Sequence, residues 1–110
     1  MPPRTHELAF APGRHACSLQ AAASRVFAVL GIARYRLIEK TGPGQAFDRY
    51  WEGRRDGAVC RVRGSDWDPQ RPQARIHVEL SDAAAAAAWL QVLHRFGDSQ
   101  GWGAAEIADA

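Results

Sequence analysis

The sequence predicts an α+β fold: a two-layer sandwich in which an antiparallel meander of four strands, five if residues 7–10 join its edge, carries two helices on one face. Three observations lead there. Residues 74–80 alternate apolar and polar side chains and run straight into an alanine-rich helical stretch, a second amphipathic helix begins at Ser18, and extended segments separated by turn residues lie between them. Consecutive strands joined by tight turns are antiparallel, which leaves both helices to cover one side.

In the strand at 74–80, a period of two places Ile76, Val78 and Leu80 on one face and Arg75, His77 and Glu79 on the other. Ser81 reads as the N-cap of the following helix, with Asp82 in a first turn whose dipole favours negative charge. Trp89, Val92, Leu93 and Phe96 recur at i, i+3, i+4 and i+7 as one apolar stripe, and Gly97 is expected to end the helix.

Upstream, Pro12 and Gly13 mark a turn and residues 14–17 read as a second short extended segment. Ser18 caps a helix whose Leu19, Ala22, Ala23, Val26, Phe27 and Leu30 share one face, and Gly31 closes it. Strands follow at 35–40, 46–52 and 58–63, with turns at 41–44 and at Asp56 and Gly57. The connection 64–73 is longer than a hairpin needs, which makes it a candidate functional loop. Residues 1–6 and 104–110 are expected to be loose tails of a single domain spanning 1–110, the latter a frayed helical end.

Composition narrows the class. With 46% hydrophobic and 24% charged residues, 110 residues suffice for one core and argue against global disorder. The net charge of +2 is too small to imply nucleic acid by itself. Lys40 is the only lysine, so arginine supplies the rest of the positive charge, and arginine is the side chain that grips phosphate or carboxylate bidentately. The same bias is what a GC-rich genome writes, and that is the favoured reading of it. No apolar run reaches the ~20 residues of a membrane span, and the first residues lack a signal-peptide core, so a cytoplasmic protein with no membrane contact is expected. Cys17 and Cys60 sit in apolar settings and read as reduced, buried thiols.

The sheet face away from the helices is the candidate functional surface. It is expected to carry Arg36, Arg61, Arg63, Arg75 and His77, together with Ile38 and Val59. The strand at 46–52 is ambiguous in parity; Arg49 and Trp51 are assigned to this face, and Trp67, in the long loop, is a second contact. Arginine and aromatic residues are enriched at interface hot spots, which favours a protein partner, most simply a second copy in a two-fold homodimer. Single-stranded nucleic acid is a weaker alternative, because no Gly-aromatic motif of sheet-based RNA binders is present. A plainly solvated face is the third reading.

No catalytic signature emerges, and the domain is expected to bind without catalysing. His15, Cys17, Cys60 and His77 lack the spacing of a metal site, so neither metal nor cofactor is expected. Gly42-Pro43-Gly44 lacks the residues of a phosphate loop and reads as a turn. An enzyme or small-molecule binder would need a pocket between sheet and helices, or beneath the long loop.

Overall fold

The computed structural model describes residues 5–40, 48–66, 68, 70–81 and 84–107. In chain order these form β1 (Thr5–Phe10), a single 3₁₀ turn (Gly13–His15), α1 (Leu19–Val29), β2 (Tyr35–Lys40), β3 (Asp48–Arg55), β4 (Ala58–Gly64), β5 (Ile76–Ser81), α2 (Ala84–Gln100) and β6 (Ala104–Ile107). The strands make one antiparallel sheet in the order β2-β3-β4-β5-β1-β6. The α+β class stands, with six strands where four or five were expected.

The additions lie beside β5. There β1 sets Leu8 opposite Val78 and Phe10 opposite Ile76, all four fully buried, and β6 then pairs with β1. A loose tail was expected at 104–110, yet 104–107 is a strand because the end of α2 redirects the chain. Gly101 takes φ +72°, the Gly101 N–H donates to Asp98 O and the Trp102 N–H donates to Gly97 O, which is the Schellman arrangement. Trp102 drops into the core against Phe10 and Phe96, with ring centroids 5.6 and 5.3 Å away, and its indole N–H donates to His15 O.

This corrects the expected end of α2. Gly97 lies inside the helix and is buried, where a Cβ would come within 2.8 Å of the Phe10 ring. Ser81 also has another role than N-cap: it ends β5, and its hydroxyl accepts the Val59 N–H at 2.8 Å. Residues 14–17 are not an extended segment, since Gly13–His15 closes a 3₁₀ turn. Asp82, Trp67 and the turn at 41–44 lie outside the described residues.

Both helices lie on the face bearing Leu8, Phe10, Ala58, Cys60, Val62, Ile76, Val78 and Leu80, each fully buried. Ser18 caps α1, its hydroxyl accepting the Ala21 N–H at 3.1 Å. At the other end Gly31 takes φ +72°, with Gly31 N–H donating to Ala28 O and Ile32 N–H to Phe27 O. That second Schellman turn presses Phe27 and Ile32 onto Gly53 of β3. The loop after β4 is organised by Gln73, fully buried, whose side-chain oxygen accepts the Asp66 N–H while its amide donates to Asp68 O and Arg71 O.

A methyl group at Gly53 would stand 2.6 Å from Ile32 Cγ2 and 3.1 Å from the Phe27 ring. Gly53→Ala is therefore expected to cost about 1–3 kcal/mol through overpacking. Urea titration should show a lowered midpoint at unchanged slope.

Candidate binding face and its arginine cleft

The face is laid out by one turn. Asp56 and Gly57 have φ of 52° and 78°, the signature of a two-residue type I′ hairpin, and they pair Arg55 with Ala58, Gly53 with Cys60, Glu52 with Arg61 and Trp51 with Val62. Directly opposed residues share a face. Cys60 and Val62 are core, so Trp51 and Gly53 lie on the helix side, while Tyr50, Glu52 and Arg54 lie on the helix-free side. The next strands continue the pattern: Arg36 opposes Glu52 and Ile38 opposes Tyr50, while Arg61 opposes Glu79 and Arg63 opposes His77.

Of the residues proposed from sequence, Arg36, Arg61, Arg63 and His77 therefore share the helix-free face, with Arg75 exposed just before β5. Arg49 and Trp51 do not. This is a correction: counting back from the turn gives them the parity of Val62. Arg49 pairs with Glu39 at 3.0 Å, and Trp51 stands edge-on to Tyr35, whose ring stacks on Phe27. Tyr50, Glu52, Arg54 and Arg34 were missed, although the Asp-Gly turn carried the signal that assigns the first three.

The centre of the face is closed by its own charges. Arg61 Nε donates to Glu52 Oε2 and Arg61 Nη1 to Glu79 Oε1, both at 2.9 Å, which forms a ladder across three strands. Arg63 reaches Asp48 at 3.4 Å and lies over the Tyr50 ring, 4.5 Å from its centroid, with Arg61 and Lys40 also nearby. Tyr50 is consequently only 3% exposed although no helix covers it. His77 lies 3.4 Å from Glu7.

Burial by itself pushes the Glu52 carboxyl up. The Arg61 hydrogen bond, with the charges of Arg61, Arg54 and Arg36, outweighs that effect and holds it below the ordinary glutamate range. Arg61 is raised in turn, chiefly by its hydrogen bond to Glu52. Burial drives the Cys60 thiol up to about 12 and raises Cys17 as well, so both remain protonated at neutral pH. Among the described residues no cluster of three His, Cys, Asp or Glu could hold a metal, and no helix is long and apolar enough to cross a membrane.

At the β2–β3 corner the face opens into a cleft of about 470 Å³ lined by Arg34, Tyr35, Arg36, Glu52, Gly53 and Arg54. The turn after α1 delivers Arg34 to its rim, and the hairpin register delivers Glu52 and Arg54. Arg54 approaches Glu52 at 3.6 Å, whereas Arg34 and Arg36 form no ion pair with a carboxylate among the described residues. The sequence matches no protein-family model and no curated protein.

Arg61→Gln would strand a buried carboxylate, and about 1–3 kcal/mol of stability should be lost at pH 7. Because the folded-state pKa of Glu52 is depressed, its contribution is complete above the unfolded value and disappears as pH falls through the folded one. Urea midpoints of wild type and variant should therefore converge as pH drops from 7 to well below the ordinary glutamate value of 4.5.

Proposed function

We propose that this chain is a non-catalytic interaction domain that binds an acidic segment of another protein across its helix-free sheet face. One observation carries the reading: among the described residues, strands β1 to β5 present Arg36, Lys40, Arg54, Arg61 and Arg63 on that face against Glu7, Asp48, Glu52 and Glu79, with Arg36 and Lys40 as the exposed cations of β2. The surplus is positive and suits an acidic partner, because complementary potential steers encounter and sets register.

Two rival occupants fit less well. Single strands of nucleic acid need exposed rings for base stacking, whereas Tyr50 is buried beneath its arginines and Trp51 belongs to the other side. A second copy would lay like charge against like, and among the described residues the exposed large apolar side chains Val29, Tyr35 and Ile107 lie on three separate elements and make no apolar centre for an obligate dimer. Protonated thiols at Cys17 and Cys60 support binding over nucleophilic chemistry.

Arg61 and Arg63 are poor probes because they brace the sheet. The exposed pair Arg36 and Lys40 is a better choice. With a labelled peptide rich in glutamate and leucine, anisotropy should report saturable, salt-sensitive binding that Arg36→Glu combined with Lys40→Glu weakens at least about tenfold, about 1.4 kcal/mol. Equal affinity in the folded variant would refute the assignment. A doubled solution mass without peptide binding would replace it with self-association.

A further inference from the structure

The arginine cleft has a feature that binding of an acidic segment alone leaves unexplained. The β2–β3 register sets Tyr35 opposite Gly53 and Arg36 opposite Glu52, and Arg34, the residue before β2, lines the cleft together with Arg36 and Arg54. Like charges gathered at one corner repel one another, and Glu52 is the one carboxylate among the described residues of the lining. Arg34, Arg36 and Arg54 are all exposed at the rim of the cleft.

Charge within the cluster sums simply. Arg34, Arg36, Arg54 and Arg61 contribute four positive charges, and Glu52 and Glu79 contribute two negative, which leaves an excess of two. Glu52 does not spoil the site, because Arg61 holds one of its oxygens at 2.9 Å and Arg54 lies 3.6 Å from the other. Arg54, its side chain 71% exposed, keeps its guanidinium at the rim. A single carboxylate would leave one positive charge unmatched. A phosphoryl group carries close to two negative charges at neutral pH and three acceptor oxygens, and guanidinium forks match such oxygens in pairs.

We infer that the cleft is a phosphoryl-binding site in which Arg34, Arg36 and Arg54 clamp a dianionic phosphate group. The inference rests on the reading of the helix-free face as a binding surface, and it names the group that the face's corner takes. At about 470 Å³ the cleft also has room for the carrier of that group beside Tyr35.

Inorganic phosphate, a phosphoserine peptide and its unphosphorylated twin, each titrated into ¹⁵N-labelled protein at constant ionic strength, test this. Phosphate should shift the amides of residues 34–36 and 52–54 saturably, and Arg34→Gln combined with Arg54→Gln should weaken that response at least fivefold. Tighter binding of the phosphopeptide assigns the group to a modified side chain, and equal binding assigns it to a free phosphate compound. The phosphopeptide should also bind more weakly below pH ~6, where its phosphate loses a charge. Phosphate should raise the melting temperature of wild type and not of the variant. Linear shifts that chloride reproduces would overturn the inference as screening only. If the glutamate-rich peptide binds and phosphate does not, this inference fails while the docking face stands; the reverse result removes the docking face and keeps the phosphoryl site.

Discussion

Asp56 and Gly57 both adopt positive φ, and the two-residue turn they form admits one pairing between β3 and β4. A slip of one residue would carry Trp51 out to solvent and bring Glu52 and Arg54 into the apolar layer, because side chains alternate with a period of two. The cost of a buried charge without a partner rules that arrangement out. Everything on the helix-free face inherits its position from this turn: Glu52 beneath Arg61, Tyr50 beneath Arg63, and Arg54 at the corner. The Asp48–Arg55 strand is thereby divided into a side on which Trp51 and Gly53 meet the core edge and a side on which Asp48, Tyr50, Glu52 and Arg54 face away from the helices.

The helical layer imposes the second half of the arrangement. Both helices end in the same way, with a glycine in the left-handed region and the next side chain folded inward, Ile32 after α1 and Trp102 after α2. Each turn therefore terminates the helix and fills the core. The absence of a Cβ at Gly53 lets Phe27 and Ile32 rest on β3, and that close approach sets where the chain emerges to begin β2. Arg34 reaches the cleft through this packing, by a route that begins on the opposite face of the sheet.

The arginines of the helix-free face consequently divide into two kinds. Arg61 and Arg63 satisfy carboxylates across strands and shield Tyr50, so their charge is matched within the sheet. Removing one such partner exposes the desolvation penalty of the other, which makes these side chains structural supports. Arg34 and Arg36 have no comparable carboxylate partner among the described residues, and Arg54 has only the longer contact to an already shared Glu52. Affinity for an anion belongs with groups whose electrostatic demand is unmet, which moves the centre of the candidate site from the middle of the sheet to its β2–β3 corner.

Much of this was legible in the residue pattern. Alternation in 74–80 and 58–63 assigned the core faces of two strands, Ser18 and Gly31 bounded the first helix, and Asp56 with Gly57 marked the hairpin. The parity of β3 was legible too, had the turn been counted back to Glu52, because a two-residue loop leaves one register. Other features depended on contacts distant in sequence. The strand at 104–107 exists because Trp102 finds Phe10 and His15, residues nearly the whole chain away. Gly97 reads locally as a helix stop and is instead a point of close approach to Phe10. Local chemistry thus determined the two helices and the four strands of the central meander, and which side of most of them is apolar, since propensity and periodicity act between near neighbours. Only the tertiary structure decided the place of the terminal strands, the matching of Arg61 and Arg63 to their carboxylates, and the gathering of Arg34, Arg36 and Arg54 around one cleft, since packing and Coulomb interactions act between residues that only folding brings together.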